Sequence, residues 1–274
     1  MNVKGLDNMK PIKLIAAAFA ALTLSFGSAH AVGGDGETVD YDFSFEGPFG
    51  TYDTMQLQRG LAIYHNICAS CHGMELVYFR NLTEQTGPAM PEAMVVELAS
   101  NYFVVDDGLD AQPGDERPAG LSDQFPGSSL SNAPDMSLLA KARAGFHGPY
   151  GTGLAQLFQG MGGAEYIASV LTGYTGEEKE EGGTIFYENT AFSGGWIAMA
   201  PPLWGEDIEH ADGAPNDLES EAQDVAAFLM WAAEPKLNQR KAFGLTAVIL
   251  LSIMAGLLYF TNKKLWYDVK HPKA

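Results

Sequence analysis

"HNICASCHGMEL", residues 65 to 76, contains the only two cysteines of the chain, Cys68 and Cys71, with His72 directly after them. A disulfide between cysteines so close together closes a tiny loop and adds little stability. A zinc site needs four ligands, and no second cysteine–histidine pair exists to complete one. A redox dithiol belongs in a βαβ setting, which the flanking residues do not suggest. The reading that remains is C-x-x-C-H as the attachment point of a covalent haem c. Two thiols one helical turn apart on one face can add to the two vinyl groups of a single porphyrin. The adjacent imidazole then lies under the iron.

The flanks supply a frame for such a group. "DTMQLQRGLAIYHNIC" (53–68) carries Leu57, Leu61, Tyr64 and Cys68 at helical spacing, which predicts a helix running into the haem loop. "LESEAQDVAAFLMWAAEP" (218–235) places Val225, Phe228, Leu229 and Ala232 on one stripe, with acids at its start and Pro235 as its stop. Two terminal helices around a haem are the frame of the cytochrome c fold. The expected fold class is therefore mainly α: a cytochrome c-like haem domain with long loops, plus one C-terminal transmembrane helix.

Both ends of the chain read as membrane-related. Lys10 and Lys13 precede "LIAAAFAALTLSF" (14–26), an apolar run of 13 residues. That is too short to span a bilayer, which takes about 20 residues. "AHA" (29–31) then fits small-x-small cleavage, so residues 1–31 are expected to be a signal peptide and the mature chain to begin at Val32. "AFGLTAVILLSIMAGLLYF" (242–260) has 19 residues and no charge, long enough to cross. Lys236, Arg240 and Lys241 precede it and Lys263, Lys264, Lys270 and Lys273 follow, too even a split to orient it. Export of the N-terminus orients it instead, with the tail in the cytoplasm. Tyr259, Trp266 and Tyr267 suit the interfacial belt. The expected organisation is a periplasmic haem domain over 32–235 and an anchor with a cytoplasmic tail over 236–274. This places the chain in the bacterial inner membrane as a single-pass protein.

The net charge is −18 overall. Between Val32 and Pro235 six lysines and arginines face 32 aspartates and glutamates, a net of −26. Such a surface excludes nucleic acid as a partner. It suits steering of a basic protein, with the runs at 104–116 and 205–224 as the expected docking acids.

A haem c that transfers electrons normally carries a second axial ligand, often methionine sulfur. Met55, Met74, Met90, Met94, Met136, Met161, Met199 and Met230 are candidates, as are His65, His147 and His210. Met55 and Met74 lie too near the attachment site to reach the opposite face, and Met230 falls within the final helix. Met161 sits in the glycine-rich "QGMGGAEY". Met199 sits in "GGWIAMAPPLWG", where Pro201 and Pro202 stiffen the chain just beyond it. This favours Met199, with Met161 as the fallback. Three other classes remain open at this point: a free-standing anchored electron shuttle, a haem enzyme with an open sixth position, and an anchor whose cysteines form a redox disulfide.

"CASCHGM", "LSDQFPGSS…NAPDMSLLAKARAG", "GGAEYIASVLTGY", "WIAMAPPLW" and "DVAAFLMWAAEPK", followed by one apolar span, together resemble the cytochrome c1 family. The resemblance runs from "FSFEGPFGTYD" (43–53) to "TNKKLW" (261–266). It implies the haem c subunit of ubiquinol–cytochrome c reductase, a dimeric complex. One haem would be held covalently by Cys68 and Cys71, with His72 as proximal and Met199 as distal iron ligand. It further implies that Arg143 meets a haem propionate and that Tyr166 and Pro134 line the pocket. The implied partners are a cytochrome b subunit, a Rieske iron–sulfur protein as donor and a soluble or anchored cytochrome c as acceptor. The task is outer-sphere electron transfer, so no bond-making catalytic site is expected. Some bacterial members carry an extra disulfide that this chain lacks, so the segment near 174–193 must be held otherwise or be mobile.

Overall fold

The helix α1, Thr54–Asn66, starts where the Asp53 carboxylate accepts the Met55 N–H at 2.9 Å, satisfying one of the donors that a helix start leaves unpaired. The computed structural model describes residues 36–106, 108, 110–143 and 156–271. The expected signal peptide and His147 lie outside the described residues.

Two 3-10 turns follow α1, at Cys68–Ser70 and Phe79–Thr83, and then α2, Glu92–Ala99. Strands β1, Phe103–Val105, and β2, Glu116–Pro118, pair antiparallel with Val104 opposite Arg117. Short helices α3, Leu139–Ala142, and α4, Gln156–Gln159, lead to α5, Gly163–Thr172. Strands β3, Tyr174–Glu181, β4, Thr184–Asn189, and β5, Trp196–Ile197, form an antiparallel sheet in that order. Helices α6, Leu218–Ala233, α7, Leu237–Leu265, and α8, Tyr267–Lys270, complete the chain.

The core is the crossing of α1 with α6. Leu57, Leu61 and Tyr64 pack with Val225, Phe228 and Trp231 in one buried cluster. The two helices touch at Gly60, where an added Cβ would lie 2.1 Å from the Asp224 carbonyl oxygen and 2.6 Å from the Phe228 Cβ. No side chain fits there, so glycine sets the closeness of the pair. Asp217 caps α6 by accepting the Glu219 and Ser220 N–H groups. Arg59 on α1 donates to both oxygens of Asp224 on α6, at 2.6 and 3.1 Å, so the crossing also carries a buried bidentate ion pair. Helix α5 packs on α6 from another side. It also meets α3 at Gly163, where a Cβ would sit 1.6 Å from the Ala140 carbonyl oxygen.

The predicted helices are both present, and the architecture is mainly α. The segment at 174–193 is neither open nor held by a disulfide. It is the β3–β4 hairpin, closed by Gly182 and Gly183 at φ of 64° and 82°. Consecutive positive φ values match the two-residue turn whose twist suits a hairpin.

Helix α7 extends beyond the expected 242–260. Its 29 residues reach about 43 Å, more than the roughly 30 Å of a hydrocarbon core. It is long and apolar enough to cross a membrane, and its apolar side chains are exposed. Its first turn belongs to the packed domain. Leu237 is buried, Tyr52 donates its N–H to Asn238 Oδ1 at 3.2 Å, and Lys241 Nζ donates to the carbonyls of Phe45 and Gly50. The Tyr52 hydroxyl meets the carbonyls of Met230 and Glu234 at 3.2 and 3.1 Å, so through this and its N–H bond to Asn238 one residue touches both sides of the three-residue joint between α6 and α7.

Candidate haem-binding site

The 3-10 turn after α1 gathers the attachment residues. The N–H groups of Cys71 and His72 both donate to the Cys68 carbonyl, at 3.1 and 2.9 Å. This folds the two thiols and the imidazole into one tight turn. Both cysteines are free thiols rather than a disulfide. Burial pushes the Cys68 thiol up to about 12, with the neighbouring Cys71 adding to the effect, so the thiol stays protonated.

The segment 126–136 wraps this turn. Gly73 N–H donates to Ser128 Oγ at 2.9 Å, Met136 N–H to the Gly73 carbonyl at 2.8 Å, and the Ser129 hydroxyl to the Ser70 carbonyl at 2.8 Å. Gly73 is required here, because a Cβ would stand 2.2 Å from the Gly127 carbonyl carbon. The same segment fixes the histidine. His72 Nδ1 lies 2.8 Å from the Pro134 carbonyl oxygen. A carbonyl only accepts, so Nδ1 carries the proton and Nε2 keeps its lone pair free for a metal. The Tyr64 hydroxyl steadies the same residue from the core, donating to the His72 carbonyl at 3.1 Å.

Met199 stands just past β5. It packs with Ile197 against Tyr166, Val170 and Ala191, in a small apolar cluster separate from the main core. The Tyr174 hydroxyl donates to the Met199 carbonyl at 3.0 Å. Tyr166 reaches this cluster from α5 and hydrogen-bonds Arg143, whose N–H closes α3 on the Leu139 carbonyl. Burial raises the Tyr166 phenol, and the nearby Arg143 charge opposes that rise. The sequence-predicted residues thus fall into two sets. Cys68, Cys71, His72 and Pro134 form one, and Arg143, Tyr166 and Met199 form the other.

The donor chemistry fits a haem c. Two free thiols share a turn with an imidazole whose outer nitrogen is tied down, and a thioether sits in an apolar cluster backed by an arginine. Among the described residues no group of three or more histidines, cysteines, aspartates or glutamates is placed to hold a bare metal ion. Met161, the fallback ligand, lies elsewhere. It lines a cavity of about 230 Å³ with Glu165, Met230 and Leu237 at the base of α7. Met74 and Met230 are core residues, and His65 Nδ1 is bound to the Tyr102 hydroxyl at 2.8 Å.

Sequence reasoning missed Tyr174 and Gly73, although both lie within stretches that carried the family resemblance. Nothing in their spacing announces a contact 25 or 54 residues away. It also overcounted the docking acids. Glu221 and Asp224 are buried, and Asp212 joins Asp224 on Arg59.

The chain matches the model of the Cytochrome C1 family over residues 43–269. It is 50% identical to cytochrome c1 of Cereibacter sphaeroides, across 95% of this chain and 98% of that protein. It is 37% identical to cytochrome b/c1 of Bradyrhizobium diazoefficiens, across 97% of this chain and 41% of that longer protein. A mitochondrial protein of Candida albicans, the cytochrome b-c1 complex catalytic subunit, is 33% identical across 85% of this chain and 78% of its own.

Proposed function

This chain belongs to the Cytochrome C1 family, and from that premise we propose that it is the membrane-anchored c-type cytochrome subunit of a ubiquinol–cytochrome c reductase. It takes electrons from a Rieske iron–sulfur protein and passes them to a basic cytochrome c, soluble or anchored. The names of the Bradyrhizobium and Candida relatives support a place beside cytochrome b in a b-c1 complex, and we take that complex to be a dimer. Helix α7 is the anchor in a bacterial inner membrane. The mature chain starts at Val32, and the domain up to Pro235 faces the periplasm.

A bound haem c supplies reversible one-electron chemistry at iron. The chain's residues do the rest. Cys68 and Cys71 would hold the porphyrin through thioethers. His72, oriented by the Pro134 carbonyl, would offer Nε2 to the iron, and Met199 would offer its thioether. Arg143 and Tyr166 form a donor pair suited to a propionate, since a guanidinium holds a carboxylate through two charge-assisted hydrogen bonds. Trp204, 75% exposed and five residues beyond Met199, offers an apolar contact beside the ligand loop.

The observation that carries the reading is the His72 Nδ1–Pro134 contact at 2.8 Å beside two free thiols. The test begins with the purified polypeptide under denaturing conditions, where haem must migrate with the chain. Met199→His is then expected to keep the covalent haem, lose the sulfur-to-iron band and lower the midpoint potential markedly. An unchanged band and potential would reassign the ligand to another methionine.

A further inference from the structure

We propose that Tyr174 is a positioning residue for the axial sulfur, acting through its hydrogen bond to the Met199 main chain. This rests on the assignment of Met199 as the distal ligand. Met199 is loosely held by the sheet. The β4–β5 ladder pairs Glu188 with Trp196 and Tyr187 with Ile197, and ends there. Among the described residues no main-chain hydrogen bond fixes residues 198 to 203, and Ala198 and Ala200 on either side of the methionine are exposed. Pro201 and Pro202 limit how the chain bends but anchor it to nothing.

The Tyr174 hydroxyl supplies the missing tie, donating to the Met199 carbonyl at 3.0 Å. Its own position is well determined. Tyr174 opens β3 directly after Gly173, which ends α5, and stands opposite Asn189 in the β3–β4 register. Asn189 is fully buried. Its Nδ2 donates to the Val170 carbonyl at 2.7 Å, and its Oδ1 accepts the N–H groups of Ala191 and Phe192. Gly173 cannot be enlarged, because a Cβ there would meet the Ser169 carbonyl oxygen at 2.7 Å. The chain of restraint therefore runs from α5 through the Gly173–Tyr174 corner to the carbonyl of the ligand residue. It holds the loop at the one residue whose side chain must not drift. A methionine sulfur is a weak ligand, so its occupancy depends on how well the protein holds it in place.

The test uses the detergent-solubilised holocomplex carrying Tyr174→Phe, which keeps the ring and removes only the hydroxyl. Covalent haem content should match the parent. The ferric sulfur-to-iron band should disappear at lower pH, and the midpoint potential should fall. Cyanide should bind the ferric protein about two- to tenfold faster, the factor that one neutral hydrogen bond is worth. Tyr187→Phe, which removes a neighbouring hydroxyl on β4, should leave all three readouts at parent values. Tyr174→Phe indistinguishable from the parent in band, potential and cyanide rate would overturn the positioning role while leaving Met199 as ligand. A parent protein without the sulfur-to-iron band would overturn the ligand assignment and the positioning role together.

Discussion

Glu165 stands in the first turn of α5 with 2% of its surface exposed, facing Glu46. Burial raises its carboxyl from the usual 4.5 to about 8, and the nearby Glu46 and Asp40 charges add to the rise. The folded protein therefore keeps a proton that the unfolded chain releases, and stability falls as pH climbs from about 4.5 towards 8. We expect the thermal midpoint to decline across that window and level off above it. Glu165→Gln should flatten the slope and raise the midpoint at pH 8, as read by calorimetry in a buffer series; Glu221, whose carboxyl burial also raises to about 7, keeps part of it. This acid was illegible in the sequence, where it is one carboxylate among many in an acidic chain. Cys68, Cys71 and His72 were legible because covalent attachment dictates their spacing locally. Pro134 acts through its main-chain carbonyl, so residue type alone never shows its role on His72, and only the resemblance pointed to it.

Among the elements, α1 and α6 were readable because each repeats its apolar residues at helical spacing and carries its own start signal. The β3–β4 hairpin was not. Its first strand, "YTGEEKEE", lacks apolar alternation and is mostly exposed, so neither periodicity nor hydropathy marks it. What holds it is the Gly-Gly turn and the partner strand, whose Ile185, Phe186 and Tyr187 favour extended structure. Lys179 adds a tie, its ammonium 4.5 Å from the centre of the Trp196 ring on β5. The α1–α6 crossing makes the sharpest prediction at this scale. Gly60→Val forces bulk into a gap of 2.1 Å and should cost about 3 kcal/mol, lowering the midpoint in thermal melts. Gly256→Val on α7 meets nothing within 4 Å and should leave the domain's melting unchanged.

At the scale of the whole molecule, the few cations of the acidic domain are largely engaged within it. Arg59 is bound to Asp212 and Asp224, Arg117 to Asp123, and Lys141 to Glu234, while Arg143 meets Tyr166. Many of the other carboxylates, including Glu177, Glu178, Glu180 and Glu181 on the hairpin, are exposed, without enough positive charge nearby to offset them. Electron delivery to the proposed acceptor, a basic cytochrome c, should therefore slow about tenfold or more as ionic strength rises from about 0.01 to about 0.3 M. Stopped-flow rates across a salt series check this, and a flat profile would remove charge steering from the account.

The clamped joint between α6 and α7 has a mechanical consequence. With only three residues between the helices, and Tyr52 bonded to Met230, Glu234 and Asn238 across them, the joint leaves little slack for the head to sway on its stalk. With α7 across the membrane, as proposed, that joint would fix the height of the domain above the lipid. On the proposed function, carriage of charge between donor and acceptor would then fall to the partners' own movement rather than to swaying of this domain.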